Sequence, residues 1–465
     1  MPITAPGVHA PRARQFRFAA SSMTRLLAIA HSPILFAAPP PPARAVPNQI
    51  ECPDCGLILR ALSPPPGRRL RCPRCRAVLR RGRPRGAALA LPLALAAWPL
   101  LPLAFLTPLI HLSLLGRGIS AALTTGPALL DAEGWLPLAA VVLLTACLLP
   151  GFRLLGLTLV LLGLRLARPP RRLLRPLLRV TEYLRPWAMV EVYLLGFFVA
   201  YSKLIDLARV RVELAGYALA ALMLVMALID EVLDPTRLWE EMAPPARGAA
   251  TSPATALPSP ASSRRLIGCL CCGLLCEGAP GARCPRCESR LHARKPQSFG
   301  RSLALVLAAG LLYIPANLLP IMTVDYHGQG VPNTILSGVE ELAASGMWPL
   351  AILVFFASIT VPVLKLLGLG VLLASARRGM TGRLVDRARL YRLIDAIGRW
   401  SMIDVFMLSI LVGVVQLGLL ASVTPGAGAV AFAGVVILTM LASQSFDPRL
   451  MWDAAGRQRR RRGRP

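Results

Sequence analysis

Lysine is almost missing from this chain. Of 52 basic residues only three are lysines, Lys203, Lys295 and Lys365, and all the others are arginines. An arginine stays protonated wherever it sits, whereas a buried lysine can give up its proton. Two of the three lysines lie inside or at the edge of apolar segments, a pattern that points to selection for the amine. Acids are scarce as well, 23 against 52 bases, for a net charge of +29. No GxxxxGKS/T loop occurs, so there is no cradle for nucleotide phosphates and ATP is not expected as a partner. No Ser/His/Asp or metal-hydrolase constellation is present either, and the chain does not read as an enzyme.

What is abundant is apolar sequence. Hydrophobic residues make up 55% and the mean hydropathy is +0.57. Several runs exceed the roughly 18 residues that mark a membrane span. The bases cluster between those runs and at the C-terminus, which fits membrane orientation and contact with anionic lipid. Nucleic acid is therefore not an expected partner.

Eleven cysteines are present, eight of them in two paired CxxC sets. The first set is Cys52, Cys55, Cys72 and Cys75, and the second is Cys269, Cys272, Cys284 and Cys287. Each CxxC turns two sulfurs toward one point, and two such turns on short β-hairpins complete a tetrahedral four-cysteine zinc site. Two structural zinc ions are expected. Gly56 and Gly273 follow the second cysteine, where a left-handed conformation is commonly needed. Cys271 and Cys276 are extra, and Cys271 could compete for the metal. The rival use of CxxC is thiol–disulfide chemistry.

The sequence then repeats itself. Adding 212 to Cys72, Cys75, Ala104, Pro108, Gly134, Pro137, Pro150 and Gly156 gives Cys284, Cys287, Ala316, Pro320, Gly346, Pro349, Pro362 and Gly368. From Trp187 the offset is 213, taking Trp187, Met189, Glu191, Asp234 and Trp239 to Trp400, Met402, Asp404, Asp447 and Trp452. One register kept through cysteines, prolines and tryptophans reads as tandem duplication.

The expected fold is an all-α polytopic membrane protein. It duplicates a four-helix transmembrane unit, each copy preceded by a small four-cysteine zinc-ribbon-like β knuckle. The sequence divides into a disordered tail (1–46), ribbon one (47–82), membrane half one (83–240), a Pro/Ala/Ser linker (241–265), ribbon two (266–296), membrane half two (297–453) and a basic tail (454–465). Expected spans are 87–115, 135–165, 187–208 and 212–233, then 299–324, 347–375, 400–423 and 428–446. The arginine-rich segments alternate with poorly charged loops at 116–134, 324–346 and 424–427, which places both termini and both ribbons in the cytoplasm. The segments 168–186 and 377–399 occupy matching positions, and Arg383 to Asp395 reads as an amphipathic helix on the inner leaflet.

Polar groups inside membrane spans are costly and mark function by default. Lys203 and Asp206 share a helix face at i, i+3. Lys365 follows Pro362 by three residues, and Arg153 is its counterpart in the first half. Asn317 and Thr439 add uncharged polar positions. Glu191 and Asp404 lie near helix starts, where capping by a carboxylate competes with a functional role. These seven residues are the candidate lipid and proton pathway.

The four-cysteine knuckle, the run Tyr313 to Met322, Thr334 to Val339, Ala357 to Lys365 and Gly398 to Phe406 together resemble the paraquat-inducible protein A family. The resemblance covers about residues 50–455 and is tightest in the second half, because Phe105 and Arg153 stand where Asn317 and Lys365 do. It implies an inner-membrane subunit of a bacterial intermembrane lipid-transport system. Its partners would be phospholipid and a periplasmic tunnel of mammalian-cell-entry (MCE) domains, with lipid loaded or extracted near Lys365, Asn317 and Thr439. Energy would come from protons or from the lipid gradient. The competing reading is a membrane-anchored zinc or redox sensor.

Overall fold

The computed structural model describes residues 43–462, except positions 63, 66, 83–85, 115–116, 206–208, 244–265, 327–328 and 416–420. The N-terminal tail up to residue 42 and most of the linker therefore lie outside the described residues. The first described stretch is a set of very short strands: β1 (Arg44–Ala45), β2 (Gln49–Glu51), β3 (Ile58–Arg60), β4 (Arg69–Arg71) and β5 (Val78–Arg81). β2 pairs with β3 and β4 with β5, both antiparallel. Strands of this length are not stable alone. They hold because the cysteines between them are buried as a cluster.

Proline then decides where apolar sequence stops being helical. Helix α1 (Gly86–Leu106) ends two residues before Pro108. A residue preceding proline is pushed out of the α region. The remaining apolar residues extend as β6 (Pro108–Leu114), which pairs with β7 (Arg117–Ala122). Next come α2 (Thr125–Ala132), the long α3 (Leu136–Arg165), α4 (Arg171–Leu184) and α5 (Val190–Leu204). β8 (Arg209–Val212) returns to pair with β6. α6 (Leu214–Val232) and α7 (Pro235–Glu241) complete the half.

The second half runs through the same order. β9 (Leu266–Gly268) and β10 (Leu275–Glu277) belong to its cysteine module. They are followed by α8 (Ser298–Leu318), β11 (Met322–Tyr326), β12 (Gln329–Asn333), α9 (Ile335–Ala344), α10 (Trp348–Arg378), α11 (Leu384–Ile397), α12 (Ile403–Val414), β13 (Ala421–Pro425), α13 (Ala427–Ser445) and α14 (Arg449–Arg462). The sheet orders match too, β7-β6-β8 and β12-β11-β13. Even the irregularities recur. α3 widens to a π-helix at Leu143–Leu148 and α10 at Phe356–Thr360, each just before a proline, Pro150 or Pro362. Proline has no N–H to give back, so helical bonding is disturbed there. Carbonyls of the widened turns bond to other helices: Thr145 accepts from the Met189 amide at 3.3 Å and Ile359 from the Tyr313 hydroxyl at 3.4 Å.

Among the described residues eight helices are long and apolar enough to cross a membrane. The protein is a mostly helical, multi-pass membrane protein. The two halves meet on α12, whose twelve residues Ile403–Val414 are all buried. It packs on α5 and α2 of the first half. Gly126 and Gly413 make the α2 contact close: a Cβ on Gly126 would lie 2.2 Å from the Ser409 carbonyl oxygen.

Two expectations need correction. The fold is not all-α outside the cysteine modules, because each half carries a three-stranded antiparallel sheet at the end of its spans remote from its module. The seventh apolar run also does not continue as helix to 423. It stops at Val414, and Ala421–Pro425 is strand. A continuous apolar run has no periodicity to separate buried strand from buried helix, and proline makes the choice at positions 108 and 320.

Candidate metal centres and buried charges

Four CxxC turns use one local design. In each, the amide after the second cysteine bonds back to the carbonyl of the first: Gly56 to Cys52, Arg76 to Cys72, Gly273 to Cys269 and Glu288 to Cys284, at 2.9–3.0 Å. All four donors have positive φ, from +61° to +71°. Glycine adopts this freely, whereas Arg76 and Glu288 adopt it at a cost. The turns bring Cys52, Cys55, Cys72 and Cys75 into one buried quartet, and Cys269, Cys272, Cys284 and Cys287 into another. Within each quartet all sulfurs lie within 4.8 Å of one another. The closest pairs are Cys52–Cys75 and Cys55–Cys72 at 3.5 Å, Cys269–Cys287 at 3.4 Å and Cys272–Cys284 at 3.6 Å. Tetrahedral Zn–S bonds of about 2.3 Å would set sulfurs about 3.8 Å apart, so the residues fit the ion.

Four sulfurs this close cannot all carry charge unaided, and a divalent cation is what would let them ionise together. Near the second quartet, the Cys287 sulfur and burial push the thiol of half-buried Cys271 up. Cys276 is buried in β10 and neighbours Cys284.

The modules dock crosswise. Arg392, on α11 of the second half, donates to Asp54 at 2.6 Å and to the Cys75 carbonyl at 3.1 Å in the first module. Arg179, its counterpart at offset 213 on α4 of the first half, donates to the Cys287 carbonyl of the second module. Arg175 adds an ion pair to Glu288 at 2.7 Å. The first quartet shares an apolar cluster with Leu369 and Leu372 of α10 and Trp452 of α14, and the Arg74 guanidinium stacks 4.3 Å over Trp452. The second quartet shares a cluster with Leu174 and Leu178 of α4. The modules also bind each other, through β1 pairing with β10 and through Glu51, which accepts from the Gly268 amide at 2.8 Å. No sequence pattern announced this crossing. The shared offset of Arg179 and Arg392 was the available signal.

Each module is meanwhile tied to its own half where the chain leaves it. Arg80 pairs with Glu240 and Arg81 with Glu231. Arg294 pairs with Asp453, and the Lys295 amide donates to Asp447 at 3.0 Å. Burial works against ionised Asp447, but bonds from Arg449 outweigh it and hold the carboxyl below its ordinary value. Burial pulls the Lys295 amine below its ordinary value.

The remaining candidates separate into distinct places. Lys365 is 2% exposed and donates to the Gly398 carbonyl and the Ser401 hydroxyl, both at 2.9 Å. Thr439 is buried nearby on α13, next to Met440, which packs at Gly398, and its hydroxyl bonds the Val436 carbonyl. Asn317 does not join them. It sits at the sheet end of α8 and bonds the Tyr313 carbonyl at 2.8 Å. Asp404 lies in the first turn of α12 but makes no capping bond. It is 6% exposed, neither oxygen has a hydrogen-bond partner among the described residues, and Ser358 and Lys203 are the groups acting on it. Lys203 thus faces across the junction of the halves. Asp206 lies outside the described residues, so its pairing with Lys203 does not enter. Glu191 lines a cleft of about 940 Å³ on the module side, together with Arg185, Asp230, Arg392, Asp395 and Arg399. The sequence reading missed Asp230, which forms an ion pair with buried Arg153.

The family model for paraquat-inducible protein A matches residues 88–243 and again 299–456. The chain belongs to the paraquat-inducible protein A family. It is 34% identical over 414 residues to the Escherichia coli intermembrane transport protein PqiA, covering 87% of this chain and 96% of that protein. It is 32% identical to the E. coli lipophilic envelope-spanning tunnel protein A, over 87% and 91%. It is 29% identical to a probable intermembrane transport protein of Haemophilus influenzae, over 83% and 91%. No solved structure matches the chain. The two segments matched by the family model are the two membrane halves.

Proposed function

We propose that this chain is the inner-membrane subunit of an intermembrane lipid-transport system. It loads phospholipid into, or draws it from, a periplasm-spanning tunnel built of MCE domains. The observation that carries the reading is the family match to both halves, with relatives named for intermembrane and envelope-spanning transport over nearly their full length. The recurring element order supports descent from one duplicated four-helix unit. Arginine-rich ends on the module side support ribbons and termini in the cytoplasm. The sheets, at the other end, then face the tunnel. The two quartets act as structural zinc ribbons that brace the halves from inside. Lys365, buried among neutral acceptors, and Asp404 with Lys203 supply groups that can exchange protons, which is the reading that needs no nucleotide.

Native mass spectrometry of the detergent-extracted protein, paired with Lys365→Ala in a strain whose envelope integrity depends on this chain, tests the proposal. Retained phospholipid, two zinc ions and loss of integrity in the variant at normal protein level are expected. Absence of phospholipid together with full integrity in the variant would sink it.

A further inference from the structure

The two sheets at the far end of the spans share a register but not a charge. On β8, Arg209 and Arg211 are exposed and alternate with half-buried Val210 and Val212. Successive strand residues point to opposite faces, so both arginines stand on one face. Residues paired directly across the sheet share that face. On β6, His111 lies opposite Arg211 and Ser113 opposite Arg209, and Ser120 of β7 lies opposite His111. The other face carries Ile110, Leu112 and Ala121, all buried in the core. In the second half the same register pairs Thr323 with Thr424 and Asp325 with Ser422. Two bases are thus present in one copy and absent from the other.

Their place matters as much as their sign. β8 joins α5 to α6 at the end of the spans opposite the arginine-rich module end. Arg211 precedes Leu214, the first residue of α6, by three positions. That is about 10 Å of extended chain. Ile205 at the end of α5, with Leu214 and Tyr217 on α6, is more than half exposed, as those two are. Exposed aliphatic and tyrosine side chains at the ends of spans mark the hydrocarbon boundary, so the two arginines stand at headgroup level. Among the described residues neither guanidinium has an ion-pair or hydrogen-bond partner.

We infer that the polar face of the β7-β6-β8 sheet docks the phosphates of acidic phospholipids in the adjoining leaflet, and that the second-half sheet does not. The inference rests on the transport reading for the side of the membrane, and it adds the headgroup charge that the first half recruits. The two guanidinium groups leave the strand about 7 Å apart, so they can fork onto the phosphates of one lipid or of two neighbours. A zwitterionic lipid brings its own cation to those oxygens, whereas an acidic one leaves them for arginine. Charge complementarity and the depth of β8 select a lipid surface as the occupant.

The test uses the full chain in nanodiscs of phosphatidylglycerol or of phosphatidylcholine. Phenylglyoxal modifies free guanidinium groups, and peptide mass spectrometry reads the rate at each arginine, so no variant has to fold. Arg209 and Arg211 should react about fivefold more slowly in phosphatidylglycerol, and about 1 M salt should remove most of that difference. Arg69, exposed on β4 of the first module, serves as the reference and should react alike in both lipids. The proposal is overturned if Arg209 and Arg211 react at one rate in the two lipids, or if Arg69 slows in step with them. It is overturned as well if they are protected only when a tunnel subunit is co-purified, which would assign the face to an acidic protein surface. Equal rates, with envelope integrity still lost in Lys365→Ala, would strike this contact and leave the transport reading standing.

Discussion

At the same depth the two halves bury different cations. In the first, Arg153 is 4% exposed and ion-paired to Asp230, with Arg185 on the same carboxylate at 3.5 Å. In the second, Lys365 takes the place of Arg153 and Ser443 that of Asp230. Lys365 has only a carbonyl and a hydroxyl as bonding partners, and among the described residues no carboxylate lies within ion-pair distance of it. A permanent guanidinium needs its counter-charge, whereas an amine can sit among neutral acceptors because it can lose its proton. Under the proposed function one scaffold thus carries a locked charge in one half and an adjustable one in the other. The first half serves as the wall against which α12 packs.

The largest effect should erase the difference between the halves, because each cysteine module is docked on the opposite half. Structural zinc in small modules contributes on the order of 10 kcal/mol to folding. Cys72→Ser, or stripping metal with a strong chelator, should release the first module from α11 and α14. Hydrogen exchange should then rise at Leu384–Ile397, in the second half, more than at Arg171–Leu184. Protection lost only within the first half would contradict crossed docking.

Next in size is the buried pair. Asp230→Asn leaves Arg153 without its carboxylate, a change that costs about 3–5 kcal/mol when a buried partner is removed. Lys365→Met removes the amine together with its desolvation and should leave melting in detergent within about 1.5 kcal/mol of the parent. Lipid transport should be lost in that variant nonetheless. Equal destabilisation by both substitutions would remove the distinction between locked and adjustable charge.

The contrast between Asp447 and its counterpart Asp234 gives a pH test. Asp447 is 1% exposed and held by Arg449, and its folded pKa lies below its ordinary value. A depressed carboxylate contributes stability in full above its unfolded pKa of about 3.9, and that contribution is lost as pH falls through the lower folded value. Asp447→Asn should therefore be less stable than the parent at neutral pH, with the gap closing below about pH 4. The half-buried Asp234 side chain bonds, among the described residues, only its neighbour Thr236, so Asp234→Asn should cost less stability at neutral pH. Chemical denaturation across pH reads both. A gap that widens on acidification would reverse the sign argued for Asp447.

Much of this was legible beforehand, and the failures have physical reasons. The quartets were readable because a CxxC turn is local chemistry, and the spans because a membrane demands length and apolarity. The sheets were hidden because Pro108–Leu114 and Ala421–Pro425 continue apolar runs with no change of period. Crossed docking was hidden because Arg179 and Arg392 look like two more bases on amphipathic helices. Lys365 stood out against a background of arginine, yet the backbone carbonyl that receives it is a tertiary fact. Asp230 was missed because it sits near the end of its apolar run, where an acid needs no special explanation.

The smallest effect compares two glycines at one repeat position. Gly126 on α2 is pressed against α12, where an added Cβ would lie 2.2 Å from backbone oxygen. Gly338, its partner at offset 212 on α9, has nothing within 4 Å of such an atom. Gly126→Ala should force α2 away from α12 and destabilise by about 1–3 kcal/mol, as overpacking does. Gly338→Ala meets open space in a helix interior, so it should stabilise by about 0.5–1 kcal/mol through the residue's better helix propensity. Opposite shifts in melting temperature are the expected result. If Gly126→Ala also stabilised, α12 would not be wedged against the first half, and the asymmetry between the halves would rest on the buried charges alone.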